Sequence, residues 1–275
     1  MKANYHTHTT WCDGASSAEE VVVAAIEKGF DAIGFSSHMA FPAAHDWELA
    51  PERADAYVAE VRSLSRKYAD SIRVFCGGEA DYIRFFTAPE RSRYSRLGLD
   101  YLIGSIHTVV APDGGEVHVD ASPDNLLKGI AGHFGGDPTA FVKAYFEQER
   151  EMLKYDFDIL AHPDLVRKFN VKHPYFDASA GWYLEELEKT ADAIAASGKI
   201  VEVNTGAISR GWLDDAYPSP RFRELLRSRS VKFVLSSDSH SASTLDTAFD
   251  RFAEAEKYLA FPREDMARGE VECTG

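Results

Sequence analysis

The sequence predicts an α/β fold in which parallel strands form a closed or distorted barrel surrounded by helices. Seven short apolar segments with strand character alternate with helical patterns, an order typical of βα units joined by right-handed crossovers. No low-complexity linker or internal repeat divides the 275 residues, and α/β barrels reach this length as one domain. We therefore expect a single catalytic domain over residues 1–275.

Each predicted element follows from local patterns. The predicted strands cover residues 3–5, 31–36, 72–76, 101–106, 158–161, 200–203 and 231–235. The predicted helices cover residues 17–28, 51–69, 88–96, 138–154, 179–196, 219–228 and 243–258. Ser16 or Ser17 is suited to cap the first helix, and Gly29 and Gly198 follow helices as C-terminal stop residues. Residues 111–137, rich in Gly, Pro and Asp, are expected to form a long excursion with some helix, to which we assign no function.

An open, doubly wound sheet that binds a dinucleotide is the main alternative to a barrel. The only paired glycines at a strand end, Gly77 and Gly78, are followed by Glu79 and not by a Gly-x-Gly-x-x-Gly pattern that opens a helix. The sequence therefore favours the barrel.

The charge balance limits the class of partner. The chain has 30 basic and 44 acidic residues and a formal net charge of −14, which argues against a nucleic-acid backbone as the main partner. A small anionic substrate stays compatible, because a few metal ions and arginines reverse the local field.

Cysteine usage and the absence of membrane patterns indicate the compartment. The three cysteines, Cys12, Cys76 and Cys273, show no Cys-x-x-Cys spacing, which is typical of reduced thiols. The sequence shows no signal-peptide pattern and no apolar run of the roughly 20 residues that span a bilayer. We expect a cytoplasmic protein without a membrane partner.

The most informative pattern is the position of polar residues at strand ends. His6 and His8 follow the first strand with i, i+2 spacing, so both imidazoles can face one point, although two exposed histidines near the N-terminus would look the same. Five further strands also end in histidine or carboxylate residues. In a β/α barrel these ends converge on one face, where the active site lies. The candidate metal ligands are His6, His8, Asp13, His38, Glu79, His107, His162, Asp238 and His240.

This set of side chains predicts a multinuclear metal site. Imidazoles and carboxylates without cysteine suit zinc, manganese or iron. Nine ligands are too many for one ion, so we expect two or three divalent ions, with a carboxylate such as Glu79 bridging them. Clustered divalent ions activate water and stabilise charge in hydrolytic displacements.

The motif set resembles the PHP (polymerase and histidinol phosphatase) superfamily. The matching strings are His6-Thr7-His8-Thr9, His38, Gly78-Glu79, His107, His162 and Ser237-Asp238-Ser239-His240, which together span residues 3 to about 245. The resemblance implies a distorted seven-stranded (β/α)7 barrel with a trinuclear metal centre.

Several strings look like the histidinol-phosphate phosphatase branch of this superfamily. They are Cys12-Asp13-Gly14, Gly78-Glu79-Ala80-Asp81-Tyr82, Gly104-Ser105-Ile106-His107, His162-Pro163-Asp164-Leu165-Val166-Arg167-Lys168-Phe169 and Glu202-Val203-Asn204-Thr205-Gly206. Asp13 favours this branch, because many other members carry histidine there. Thr108 departs from the pattern, in which an aromatic residue follows the histidine.

The resemblance implies hydrolysis of a small phosphate monoester, L-histidinol phosphate, in histidine biosynthesis. Arg167 and Arg210 would hold the phosphate, and Arg167 would also be a catalytic residue. Asp238 or His240 would protonate the leaving alkoxide. Asn204 and Thr205 would orient the site.

Two other functions remain open at this point. One is a PHP phosphoesterase of different specificity, acting on another phosphorylated metabolite or a nucleotide. The other is a metal-binding PHP module without catalysis. Homo-oligomerisation is possible in each case.

Overall fold

Seven parallel strands form a nearly closed barrel in the computed structural model, which describes residues 2–40, 42 and 45–252. In chain order the strands are β1 (Ala3–Asn4), β2 (Ala32–Phe35), β3 (His38–Met39), β4 (Arg73–Asp81), β5 (Tyr101–Ser105), β6 (Thr108–Val110), β7 (Glu116–His118), β8 (Ile159–Leu160), β9 (Ile200–Asn204) and β10 (Phe233–Ser236). The barrel path runs β1-β2-β4-β5-β8-β9-β10, and β3 pairs with β4 beside it.

The barrel closes through the segments that follow β1 and β10. A parallel bridge joins Thr7 to Ser239, and the amide of His8 donates to the carbonyl of Ser239 at 2.8 Å. Closure therefore occurs where the predicted ligands follow their strands, and it brings the first and last of them together. The predicted (β/α)7 barrel is confirmed.

Helices cover the outside of the barrel. They are α1 (Ala18–Glu27), α2 (Ala54–Lys67), α3 (Arg91–Tyr94), α4 (Pro123–His133), α5 (Pro138–Met152), α6 (Gly181–Ser197), α7 (Gly206–Ser209) and α8 (Pro220–Ser228). The side chain of Ser17 accepts from the amide of Glu20, and the Glu20 carboxylate accepts from the amide of Ser17, which forms the capping box that begins α1. No helix within the described residues combines the length and apolarity needed to cross a membrane.

The alternation of side chains along the strands separates two cores. Val201 and Val203 of β9 belong to the large core between barrel and helices. Glu202 and Asn204 alternate with them along the strand and therefore lie on its opposite face. A small inner core fills the barrel, and its buried members are Tyr5, Tyr101, Ile103, Ile159, Ala161 and Val234. This inner core is formed by side chains of the strands that lead to the predicted metal ligands.

The structure differs from the sequence-based elements in four places. The strand predicted over 72–76 continues to Asp81, so that Glu79 lies within β4 and not beyond it. The helix predicted over 88–96 is reduced to α3 and a 3₁₀ turn at Ser95–Leu97. The excursion at 111–137 holds β7 and α4, and β6 pairs antiparallel with β7.

The last difference concerns the helix predicted over 243–258. The chain forms a 3₁₀ turn at Ala242–Thr244 and has no α-helix over 245–252. Leu245 and Phe252 in this segment are buried in the large core between barrel and helices. Residues 253–258, like Cys273, lie outside the described residues.

Candidate metal centre

Glu79 occupies the centre of the polar cluster because of its register. β3 pairs with β4 so that His38 lies opposite Glu79. Glu79 lies on the same face of β4 as Gly77 and Asp81, and this face is turned towards the barrel axis. The side chain of Glu79 is fully buried. The strand thus delivers one carboxylate to the point where the other strand ends converge.

Imidazole nitrogens surround both oxygens of the Glu79 carboxylate. Glu79 Oε2 lies 3.0 Å from His6 Nε2, 3.0 Å from His38 Nδ1 and 3.4 Å from His8 Nε2, and Glu79 Oε1 lies 3.2 Å from His162 Nε2 and 3.6 Å from His107 Nε2. This arrangement suits a carboxylate ligand in a metal centre whose other ligands would be imidazoles.

Asp238, Asp13 and His240 complete the cluster. Asp238 Oδ1 lies 3.3 Å from His8 Nε2, and Asp13 Oδ2 lies 3.1 Å from His240 Nε2. Asp238 adopts a φ of 48°, a left-handed conformation that aspartate tolerates better than most residues, and this turn directs its carboxylate towards the cluster. Asp13 and His240 are partly exposed, so this side of the cluster opens towards solvent.

Three groups of side chains have their ligand atoms within 4.8 Å of one another, a spacing that could hold a metal ion. The groups are His8, Asp13, His38 and His240; His6, His8 and Asp238; and His38, Glu79 and His107. His162 is in none of these groups, although its Nε2 approaches Glu79. The groups contain the other eight predicted ligands, which agrees with a centre of two or three ions.

Unpartnered buried nitrogens test whether a metal fits. His8 Nε2 and His38 Nδ1 are buried and make no hydrogen bond, although carboxylate oxygens lie within 3.4 Å of each. A buried nitrogen without a partner is costly, and a divalent cation between imidazole and carboxylate would satisfy both. The donor set therefore fits zinc, manganese or iron.

The cluster perturbs its own ionisation. Burial disfavours the charged carboxylate of Glu79, but the imidazoles of His6, His38 and His107 outweigh burial and hold its pKa well below the usual range. His8 is affected in the opposite direction, because burial and the nearby His240 and His38 hold its pKa well below the usual value. The ionised Glu79 and the neutral His8 are thus in the states that a metal requires.

The pKa values of His6 and His107 are raised. Burial lowers the pKa of His6, but the carboxylates of Glu202, Glu79 and Asp238 outweigh it and hold this pKa well above the usual value. The pKa of His107 is also well above the usual value, since Asp81 and Glu79 outweigh burial. In the metal-free protein these two rings carry protons that a metal would displace.

A cavity of about 370 Å³ lies above the cluster. Six predicted ligands line it, namely Asp13, His38, His107, His162, Asp238 and His240. Among the described residues, Arg210 and Lys168 are the lysine or arginine side chains on its wall. Arg210 Nη1 lies 3.1 Å from Asp238 Oδ2 and Arg210 Nη2 donates to His240 Nδ1 at 2.8 Å, which ties the arginine to two predicted ligands.

The position of Arg210 depends on a glycine. A Cβ atom at Gly206 would lie 2.5 Å from Arg210 Nη1 and 2.9 Å from Asp238 Oδ2, closer than real contacts allow. Only a glycine at the start of α7 leaves room for the ion pair between Arg210 and Asp238.

Of the two predicted phosphate-binding arginines, the structure places only Arg210 on the cavity wall. Arg167 Nε donates to Asp164 at 2.7 Å, and its Nη2 donates to the carbonyl of Ala216 at 3.1 Å. The guanidinium lies 5.6 Å from the ring centroid of Tyr217, which itself lines the cavity. Phosphate binding by Arg167 stays a prediction.

Asn204 and Thr205 are fully buried and do not line the cavity. Asn204 Nδ2 donates to Glu202 at 2.8 Å and Asn204 Oδ1 accepts from the amide of Gly206 at 2.9 Å. The amide of Thr205 donates to the carbonyl of Ser236 at 2.9 Å. These contacts connect β9, β10 and α7, and the orienting role of the two residues stays a prediction.

The sequence analysis did not assign several residues that contact the site. Asp81 accepts from His107 Nδ1 and Glu202 from His6 Nδ1, each at 2.7 Å. Both share a strand face with a residue that was singled out, Glu79 or Asn204, so the two-residue period of a strand was an available signal. His118 and Asp120 reach the cavity rim from the excursion, and no local pattern indicates that position.

Comparisons with known proteins agree with this geometry. The model of the PHP domain family matches residues 4–206. A Schizosaccharomyces pombe protein named "Probable histidinol-phosphatase" is 30% identical over 260 residues, covering 87% of this chain and 81% of that protein. A Deinococcus radiodurans protein of the same name is 28% identical, covering 92% of this chain and 91% of that protein.

Two solved structures share the fold. A candidate histidinol phosphatase from Listeria monocytogenes superposes with a TM-score of 0.82 at 22% identity, covering 92% of this chain and 100% of that chain. Histidinol phosphate phosphatase from Lactococcus lactis, complexed with zinc, L-histidinol and phosphate, gives a TM-score of 0.62 at 19% identity, covering 92% and 93%. Because the family model matches residues 4–206, which is most of the chain, this chain belongs to the PHP domain family.

Proposed function

We propose that this chain is a metal-dependent phosphomonoesterase that hydrolyses L-histidinol phosphate to L-histidinol and inorganic phosphate, in histidine biosynthesis. The observation that carries the proposal is the buried carboxylate of Glu79, which five imidazoles surround beneath a cavity with cationic side chains on its wall. The relatives that align over most of the chain and bear the name histidinol-phosphatase support the choice of substrate.

The cavity suits a small phosphorylated amino alcohol. Its volume of about 370 Å³ lies in the range of small-molecule sites and leaves little room for a polymer. Trp47, whose ring is T-shaped to His38 at 4.8 Å between centroids, offers an aromatic wall for a heterocycle. Asp120 on the same wall offers a carboxylate to an ammonium group, and although burial opposes ionisation, Lys168 and His107 hold its pKa at about 2.

The reaction transfers the phosphoryl group to water. A bond forms between phosphorus and the water oxygen, the bond from phosphorus to the substrate oxygen breaks, and the alkoxide takes up a proton. Bound divalent ions supply Lewis-acid charge that activates the water and stabilises the phosphoryl oxygens. The residues of this chain that would hold them are the predicted ligands other than His240, which is the proton donor of this proposal.

Arg210 and Lys168 bind and orient the phosphate in this proposal. A guanidinium fork matches two phosphate oxygens, and Lys168 adds a point charge. Lys168 Nζ is held by the carbonyl and the carboxylate of Asp120 at 3.0 and 3.1 Å, which keeps the ammonium group on the cavity wall. Lys168 sits on the segment that follows β8 and its predicted ligand His162, and Arg210 sits on the segment that follows β9.

His240 is the better placed of the two predicted proton donors. Although Asp238 is buried, Arg210 and His6 hold the pKa of its carboxyl well below the usual range, so it carries no proton to give. His240 lines the cavity, is partly exposed, and its ring lies between Arg210 and Asp13. We assign the proton of the leaving alkoxide to His240, which in this role is not a metal ligand because Nδ1 accepts from Arg210 and Nε2 must carry the proton, and we leave Asp238 as a ligand.

A comparison of substrates tests the proposal. Phosphate release would be measured from L-histidinol phosphate, a nitrophenyl phosphate ester and a dinucleotide, with zinc, manganese or iron supplied. We expect kcat/KM to be highest for L-histidinol phosphate. Preference for another phosphorylated compound would favour a PHP phosphoesterase of different specificity, and no turnover with any metal would favour the non-catalytic module.

The compartment, the partners and the domain organisation of the enzyme also belong to this proposal. We propose that the enzyme works in the cytoplasm on a small molecule, without nucleic acid as a partner, and that it forms one domain. Homo-oligomerisation also stays a prediction, which sedimentation of the purified chain would test.

A further inference from the structure

Two buried carboxylates lie behind imidazoles of the candidate metal centre. Glu202 Oε1 accepts from His6 Nδ1 and Asp81 Oδ1 accepts from His107 Nδ1, both at 2.7 Å. The opposite ring nitrogen, Nε2, of each histidine points at Glu79, at 3.0 Å from His6 and 3.6 Å from His107. Each carboxylate therefore holds a ring by the nitrogen that faces away from the cluster.

Other contacts fix both carboxylates in place. Glu202 Oε2 accepts from Asn204 Nδ2 at 2.8 Å and lies 3.4 Å from the backbone nitrogen of His162, which donates to it. Asp81 Oδ1 also accepts from the hydroxyl of Ser105 at 2.7 Å. Both side chains are almost completely buried, so neither can exchange its partner for water.

Other rings of the cluster have no such support. His8 Nδ1 meets the sulfur of Cys12 at 3.5 Å, and His162 Nδ1 is buried without a hydrogen-bond partner. The outer group of His8, Asp13, His38 and His240 contains neither carboxylate-backed ring, whereas His6 and His107 belong to the two inner groups. The support is thus confined to the buried side of the centre.

We propose that Glu202 and Asp81 are positioning residues that fix the tautomer and orientation of His6 and His107 and so determine how tightly the inner metals are retained. The inference rests on the metal centre of the proposed function and not on the identity of the substrate. A carboxylate on Nδ1 keeps the hydrogen there, directs the lone pair of Nε2 towards the cluster and increases its basicity. Loss of such a partner typically costs about 10–100-fold in metal affinity.

Two variants and a control test the inference. Glu202→Gln and Asp81→Asn keep the shape of each side chain and remove its charge. Glu149→Gln is a control for the exchange of a buried carboxyl group for an amide, since Glu149 is buried in α5. Each protein would be loaded with zinc and dialysed against a series of chelator concentrations, and the zinc retained per chain would be measured by atomic emission.

We expect half of the zinc to leave both variants at chelator concentrations about 10–100-fold lower than for the wild type, and Glu149→Gln to match the wild type. A cooperative melting transition of the metal-free forms separates positioning from loss of the fold. We expect both variants to stay folded, with a lower melting temperature, because each loses the carboxylate that pairs with a protonated imidazole. Unchanged zinc retention in both variants would overturn the proposal, as would an equal loss in Glu149→Gln. If Glu202→Gln does not fold, Asp81→Asn alone decides.

The test is independent of catalysis. Zinc retention is measured without substrate, so a chain that hydrolyses some other phosphate ester still confirms or overturns the role of the two carboxylates. Failure of the proposed function would instead show in the comparison of substrates.

Discussion

His38 Nδ1 lies 3.0 Å from Glu79 Oε2 because the two residues are paired across the parallel register of β3 and β4. The same carboxylate oxygen lies 3.0 Å from His6 Nε2. Glu79 thus links the segment after the first strand of the chain to the strand that carries His38.

Replacing Glu79 by glutamine should abolish most of the activity. The amide keeps the shape but removes the charge that two cations would share. Since loss of a residue that only supports a ligand costs about 10–100-fold in metal affinity, we expect a larger loss here. The zinc content per chain and kcat with L-histidinol phosphate would measure the effect. A variant that kept both its zinc and its turnover would contradict the bridging role.

The ligand positions could be predicted because they depend on local patterns. A histidine directly after an apolar strand lies on the site face of a parallel barrel, so the placement of His107 and His162 needed no knowledge of packing. Glu79 lies within β4 and reaches the same cluster through the alternation of side chains along the strand. His118 and Asp120 reach the cavity only through the β6–β7 hairpin and the segment after it, whose path depends on contacts with α4 and α5. Their place could not be predicted without the tertiary structure.

The two arginines show the same limit. Arg167 follows β8 and Arg210 follows β9, so their position a few residues past a strand does not show which of them reaches the cavity. The distinction arises from distant partners, since Arg167 bonds to the carbonyl of Ala216, whereas Arg210 pairs with Asp238. Chain segments 28 to 49 residues apart decide which guanidinium faces the cavity.

Substitution of Arg210 should weaken phosphate binding and catalysis together. Arg210→Lys keeps a charge but loses the fork that matches two oxygens, and Arg210→Ala loses both. We expect KM to rise and kcat to fall in both variants, with kcat/KM reduced by about 100-fold or more in Arg210→Ala. Steady-state kinetics and the inhibition constant of inorganic phosphate would measure this.

Arg229→Ala is the control for Arg210. Arg229 pairs with Glu188 and Asp192 on the outer helices, far from the cavity wall in the fold. Its removal should leave KM unchanged. If Arg210→Ala bound phosphate as the wild type does, the arginine would have no part in phosphate recognition.

The metal-free protein should respond to pH in a defined direction. The pKa values of His6 and His107 are raised in the fold, because the nearby carboxylates outweigh burial, so protonation of these rings stabilises the folded state. This stabilisation is complete below the unfolded pKa of about 6.5 and is lost as the pH rises through the folded values. We expect the melting temperature of the metal-free protein to increase as the pH falls from 8 towards about 6.5.

The metal-loaded protein should behave in the opposite way over the same range. Metal binding requires unprotonated Nε2 atoms, so acid competes with the metal and lowers the melting temperature of the loaded form. Zinc binding near neutral pH should also release protons, which calorimetry in two buffers of different ionisation enthalpy would count. Parallel pH profiles for both forms would show that these rings do not bind the metal.

Tyr101 should stabilise the barrel from the inside. Its hydroxyl lies 2.6 Å from the carbonyl oxygen of Tyr5 and 3.0 Å from that of Phe35, and all three residues are buried. Tyr101→Phe removes the one hydroxyl hydrogen that these two buried carbonyls share, so we expect the free energy of unfolding to fall by about 1–3 kcal/mol. Urea unfolding of the metal-free protein would show this as a lower midpoint with an unchanged slope. Tyr68→Phe, which removes a hydroxyl bonded to Glu19 at the surface, should change the midpoint much less, and equal effects of the two substitutions would contradict the role of the inner hydrogen bonds.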